Sequence, residues 1–128
     1  MIYVDSSVAL AQLLAEDRVP PVALWGQDLV TSRLLVYEVW TRLHARGLGG
    51  SHAASARALF DQLSLLELSP EILARGQEAF PGVVRSLDAL HLASIDWLQR
   101  QGVAIRLATY DARLAEAARR LSIPLEPL

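Results

Sequence analysis

Short apolar runs stop at a carboxylate, Ser or Thr and give way to helix-forming residues, and this alternation limits the fold more than any other feature of the chain. Ile2-Tyr3-Val4 is the first such run, β-branched and aromatic and halted by Asp5-Ser6-Ser7, a composition that suits a buried strand. Val8 to Ala15 then reads as a helix with Ser6 or Ser7 at its N-cap. After Glu16-Asp17-Arg18, Pro20-Pro21 and a short helical piece from Val22 to Gln27, Leu29-Val30-Thr31 is a second strand. Ser32 caps a helix to about Arg46, ended by Gly47 and Gly49-Gly50, and Ser51 starts another to about Leu63, giving an αα-hairpin. Leu65-Leu66-Glu67-Leu68 is a third strand, Glu71 to Ala79 a helix, and Ser86 caps the most apolar helix, Leu87 to Gln99, which Gly102 closes. Val103 to Thr109 is a fourth strand, Asp111 to Leu121 a last helix, and Ile123 to Leu125 a short strand fit only for an edge because of Pro124. Strands with near-continuous apolar character, separated by helices, predict an α/β fold: a single three-layer domain over residues 1–128 with a mostly parallel central sheet flanked by helices. The order of the strands is not readable from the sequence.

Composition narrows the function. The 128 residues carry a formal net charge of -2, which argues against holding nucleic acid by a broad basic surface and leaves only local contacts. All 12 basic residues are Arg, so lysine-dependent chemistry, including the Walker P-loop and Schiff-base catalysis, is excluded. The absence of Cys removes thiolate nucleophiles and Cys-based zinc sites. No apolar stretch approaches the ~20 residues of a membrane span, and the first residues have no basic n-region. The expectation is a cytoplasmic protein with no membrane association.

The acids at strand ends and helix starts are the candidates for chemistry. Asp5 follows the first strand, Asp111 follows the fourth through Thr109-Tyr110, and Asp88 heads the apolar helix just before that fourth strand. Each also has an ordinary explanation. Asp5 fits a turn, Asp88 a helix-dipole acid and Asp111 an N-cap. Glu38 sits in Val36-Tyr37-Glu38-Val39-Trp40; at roughly 100° per residue it falls beside Leu34, Thr41 and Arg42, off the core face of Leu35, Val36, Val39, Trp40 and Leu43. It can simply pair with Arg42 at i+4. His91 reads as a satisfied core histidine, Asp96 as structural, and Trp25, Trp40 and Trp97 as packing residues. Taken together the ordinary explanations weaken, because a parallel sheet puts all its carboxyl ends on one edge. Carboxylates gathered there repel one another unless a cation binds, and oxygen donors of this kind select Mg²⁺ or Mn²⁺. The implied chemistry is metal-assisted phosphoryl transfer.

Asp5-Ser6-Ser7 after the first strand, Glu38 on the helix after the second, Leu87-Asp88-Ala89-Leu90-His91-Leu92-Ala93, and Thr109-Tyr110-Asp111 together resemble the successive motifs of the PIN domain, particularly the small VapC-type toxins. The resemblance spans essentially the whole chain, with Tyr110 where Asn is common and Leu114 where an aromatic is common. It implies that Asp5, Glu38, Asp88 and Asp111 are the catalytic cluster, with Asp5, Asp88 and Asp111 on Mg²⁺ or Mn²⁺ and Glu38 through water. Ser7 and Thr109 become supporting hydroxyls. It further implies a metal-dependent endoribonuclease that leaves 5′-phosphate and 3′-hydroxyl ends, a homodimer, and a small antitoxin partner. Arg33, Arg85 and Arg113 flank the acids and are the candidates for holding RNA phosphates. The αα-hairpin is the candidate partner-facing element. A competing nuclease chemistry with paired histidines has only His44, His52 and His91 to draw on. The alternative of another class is a PIN-like module that binds RNA or protein without catalysis.

Overall fold

The computed structural model describes residues 1–128. Four strands, β1 (Ile2–Val4), β2 (Leu29–Ser32), β3 (Ser64–Leu66) and β4 (Arg106–Ala108), form one sheet in the order β3-β2-β1-β4. Every pairing is parallel, with Ile2 opposite both Leu29 and Arg106. Helix α1 (Ser6–Leu14) and a 3₁₀ turn (Val22–Gly26) connect β1 to β2, while α2 (Arg33–Ala45) and α3 (Ala53–Phe60) connect β2 to β3. Helices α4 (Pro70–Gly76) and α5 (Ser86–Arg100) lead to β4, and α6 (Ala112–Arg120) follows it. The chain therefore steps outward from β1 to β2 and β3, then returns to lay β4 on the opposite side of β1. The carboxyl ends of β1 and β4 flank the point where the strand order reverses, the usual place for a crevice in such sheets.

Strand alternation divides β1 between two cores. Ile2 and Val4 pack with Val8, Leu35, Val39 and Leu43 on one face, and Tyr3 packs with Leu92, Ile95 and Leu114 on the other. Burial on both faces explains why β1 is a continuous apolar run, with each such side chain contributing about 1.5–3 kcal/mol on leaving water. Helix α5 is apolar nearly all round because it is buried along most of its length, from Ala89 through Leu98.

The expected elements are present, with local differences. The stretch Ile123 to Leu125 makes only an isolated parallel bridge, Leu125 opposite Leu107, since Pro124 contributes its carbonyl to Leu107 N–H but has no N–H to extend a ladder. Strands β3 and β4 are shorter than their apolar runs, and α3 begins at Ala53 and ends at Phe60. Neither Ser6 nor Ser7 caps α1: Asp5 holds the N-cap position without a side-chain cap bond, and Ser7 Oγ is turned toward the sheet edge instead. Arg85, not Ser86, holds the N-cap position of α5. Ser32 does cap α2 through Leu34 N–H, and Asp111 caps α6 through the amides of Arg113 and Leu114.

Candidate active site

Each acid singled out above is delivered by a different element. Asp5 ends β1, and its amide donates to Ala108 O of β4, which ties the tips of the two strands together. The Asp5 side chain is buried, 4% exposed, and accepts from Ser7 Oγ at 2.6 Å. Ser7 Oγ in turn accepts from Tyr110 N–H at 2.9 Å and lies 3.4 Å from Thr109 Oγ1; Thr109 Oγ1 accepts from Asp111 N–H at 2.9 Å. A line of hydroxyls thus runs from the Asp5 carboxylate at the end of β1 to the backbone amide of Asp111 at the start of α6. Asp88 comes from the first turn of α5, and Glu38 comes from the second turn of α2. All four line one cavity of about 820 Å³.

Glu38 does not pair with Arg42. Its Oε1 lies 2.6 Å from His91 Nε2, and its Oε2 accepts from Ser6 Oγ at 3.3 Å. The other imidazole nitrogen, Nδ1, lies 2.7 Å from the Tyr3 hydroxyl. Burial pushes the Tyr3 phenol well above its ordinary range and keeps it protonated. An ionised Glu38 only accepts, so Nε2 carries hydrogen toward it, and in the neutral ring Nδ1 then accepts from Tyr3. His91 is a satisfied core histidine, and one of its two partners is a candidate site residue. Nothing in the sequence joins the two, since His91 and Glu38 are 53 positions apart on helices whose packing the sequence does not state.

Electrostatics separate the acids. Burial raises the Asp5 carboxyl to about 6, against the lowering pull of Ser7, His91 and Thr109. Asp88 is also raised, chiefly by burial, with Arg85 opposing. Burial pushes Asp111 up as well, but the hydrogen bond from Arg85 and the amides of Leu114 and Arg113 together outweigh it, and its carboxyl is held below the usual range. Arg85 bridges the last two. Its Nε donates to Asp88 Oδ2 at 2.8 Å, and its Nη2 contacts both Asp88 and Asp111. These contacts, Asp111 first, raise the Arg85 guanidinium still further.

The other arginines sort differently from expectation. Arg33 is exposed, pairs with Glu67 at 2.7 Å and does not line the cavity. Arg113 is exposed and also lies outside the lining. In their place Arg18, Arg42 and Arg46 line the cavity together with Arg85. Trp25 and Trp97 bond Gln12 and Glu71, Trp40 packs on Phe60 and His44, and Asp96 pairs with Arg75 and Arg100. These residues are structural, as the sequence reading had them.

The donor set fits a hard divalent ion in kind: carboxylate oxygens from separate rigid elements, facing one cavity, with Asp5 destabilised in its charged form by burial. As the side chains stand, no three acidic or imidazole groups are close enough together to hold an ion. The position between Asp88 and Asp111 is taken by a cation of the protein's own, the Arg85 guanidinium. A metal held by these acids requires that guanidinium, which is about half exposed, to swing aside.

A parallel sheet whose strand order reverses beside β1, with four acids at its carboxyl edge, defines a three-layer α/β protein with an acidic cleft at the switch point. The PIN domain model matches residues 2–120. The chain is 32% identical over 126 residues to Ribonuclease VapC47 of Mycobacterium tuberculosis (strain CDC 1551 / Oshkosh), covering 93% of this chain and 90% of that protein. It is 34% identical over 126 residues to Ribonuclease VapC46 of the H37Rv strain, covering 95% and 93%. In fold it is similar to the crystal structure of M. tuberculosis VapC20, described as a Sarcin-Ricin loop cleaving toxin, with a TM-score of 0.66, 21% identity, and coverage of 91% of this chain and 95% of that one. The chain belongs to the PIN domain family, and its sequence relatives place it with the VapC proteins.

Proposed function

We infer that this chain is an endoribonuclease, the toxin of a type II toxin–antitoxin pair, and that residues 1–128 act as one PIN-like domain. The observation that carries the reading is the convergence of Asp5, Glu38, Asp88 and Asp111, from four different elements, on one cavity at the carboxyl edge of the sheet, in a chain whose relatives are VapC ribonucleases. The reaction is hydrolysis of an RNA phosphodiester by water, leaving 5′-phosphate and 3′-hydroxyl ends. Asp5, Asp88 and Asp111 would hold Mg²⁺ or Mn²⁺, with Glu38 acting through a water. The ion would supply charge neutralisation at the phosphate and a more acidic water. Ser7 and Thr109 orient the Asp5 and Asp111 ends of the site through the hydroxyl line. His91 and Ser6 fix both oxygens of Glu38, so that carboxylate is poised to orient or deprotonate a water rather than to wander.

The same reading gives the chain a small antitoxin partner, a homodimeric state and a cytoplasmic location. No helix is long and apolar enough to cross a membrane. The test is cleavage of a single-stranded RNA by the purified chain with Mg²⁺ or Mn²⁺, with and without EDTA, and end-group analysis of the products. The expected result is cleavage that chelator stops, with 5′-phosphate and 3′-hydroxyl ends. Undiminished cleavage in excess EDTA, or cyclic phosphate ends, would overturn the mechanism.

A further inference from the structure

Most of the arginines in this chain are committed to carboxylates: Arg33, Arg75, Arg85, Arg100, Arg106, Arg119 and Arg120 all take part in ion pairs. Arg18, Arg42 and Arg46 do not, yet they line the same cavity as the four acids. This placement is unfavourable to explain by stability alone. Glu38 lies one turn from Arg42 but turns to His91 instead, which leaves the Arg42 guanidinium exposed and without an ion pair. Arg46 is the C-cap residue just past the end of α2, so Glu38, Arg42 and Arg46, spaced at i, i+4 and i+8, form a stripe that leads away from the acids toward the α2–α3 connection. Successive members rise about 6 Å along the helix, a step comparable to that between neighbouring phosphates of an extended strand. Arg18 stands in the same cavity beside Tyr110, its guanidinium 4.9 Å from the ring centroid and within 3.3 Å of the Tyr110 carbonyl. That contact presets a side chain that is otherwise mobile in water.

Resting on the ribonuclease reading, we propose that Arg42 and Arg46 form a phosphate track that positions the RNA strand on one side of the scissile bond, with Arg18 gripping the backbone at the Tyr110 side of the cavity. A strand entering a cavity lined by Asp5, Glu16, Asp17, Glu38, Asp88 and Asp111 meets repulsion, and a chain of net charge -2 has no general basic field to offset it. Planar guanidinium groups free of carboxylate partners are the groups suited to take up phosphate oxygens at that place. They act at a distance from the reacting phosphate and are positioning residues.

The test uses the whole chain and a fluorescein-labelled single-stranded RNA, with binding read by anisotropy in EDTA across a salt series and cleavage read separately with Mn²⁺. Arg42→Gln/Arg46→Gln is expected to lower the slope of log K against log salt by about 1.4, about 0.7 for each lost phosphate contact on a single strand. KM for a long RNA rises roughly tenfold, while a fragment too short to reach α2 is cut with unchanged KM. Arg18→Gln lowers the slope by about 0.7. Arg57→Gln, which removes an arginine stacked on Trp40 outside the cavity, controls for net charge. If wild type cleaves RNA but the double variant keeps its slope and its KM, the track is refuted while the ribonuclease reading stands. A double variant that binds RNA like wild type but loses affinity for an oligoglutamate peptide would assign the stripe to a protein partner and refute the track in the same way. Failure of wild type to bind or cleave any RNA refutes the ribonuclease reading itself.

Discussion

Asp5→Asn is expected to make the metal-free protein more stable and unable to cut RNA. Asp5 is 4% exposed and has no cationic partner, so its charge is held in a poor medium with one short hydrogen bond from Ser7. Its carboxyl ionises at about 6 in the fold against an ordinary value of 3.8. Between those values the folded chain keeps the proton that the unfolded chain has lost. Stability contributed by this group is therefore intact below the unfolded value and declines as pH rises, with the decline complete above about 6. The full loss is about 3 kcal/mol at pH 7 and roughly half of that at pH 5. Asparagine keeps the shape and can still accept from Ser7, yet carries no charge to desolvate. Urea unfolding in EDTA should show the variant ahead of wild type by about 3 kcal/mol at pH 7, or roughly 10 °C in Tm, with the lead shrinking at pH 5. Mn²⁺ should narrow the gap at pH 7, because an ion bound with Asp5 stabilises the wild-type fold more than a variant that has lost that ligand. A variant no more stable than wild type at pH 7, or one whose lead does not depend on pH, would refute the account of Asp5 as an unneutralised buried carboxylate.

Two further predictions concern the side chains that hold the acids. Glu38→Gln should lower kcat at least tenfold with little change in unfolding free energy in EDTA, since Gln keeps contacts to His91 and Ser6; single-turnover kinetics on the RNA would check it, and unchanged kcat would return Glu38 to a structural role. Arg85→Ala removes the guanidinium that bridges Asp88 and Asp111, so Mn²⁺ binding read by electron paramagnetic resonance should tighten by between a few-fold and about tenfold, the range set by a half-exposed ion pair. Looser Mn²⁺ binding in that variant would show that Arg85 supports the ion rather than competing with it.

The elements and their character were legible in the chain because they depend on local physics. The apolar run of β1, the Ser32 cap, the Asp111 cap and the all-round apolarity of α5 each follow from neighbours a few positions apart, and the alternation of strands and helices implied a parallel sheet. Asp5, Asp88 and Asp111 were legible as a set for the same reason, since strand ends and helix starts place them, whereas Glu38 joined them only through the family resemblance. Charge pairing was not. Glu38 has Arg42 one turn away, and only the packing of α2 against the α5 side of the cavity makes His91 the nearer and better-shielded partner. Arg33 had the sequence position of a site residue and is turned to Glu67, whereas Arg42 and Arg46 carried an i+4 spacing from Glu38 that gained meaning once Glu38 was found to be engaged elsewhere.

By itself, then, the sequence determined an α/β fold, a strand-end acid at position 5 and an acidic cluster built from Asp5, Asp88 and Asp111, because backbone preference and strand-end placement are short-range. The tertiary structure decided the strand order β3-β2-β1-β4, and with it the adjacency of the β1 and β4 tips that brings Asp5 and Asp111 to one cavity. It also decided which partner serves which acid. Both depend on distances between residues far apart in the chain, which are set only when the two cores close on either face of the sheet.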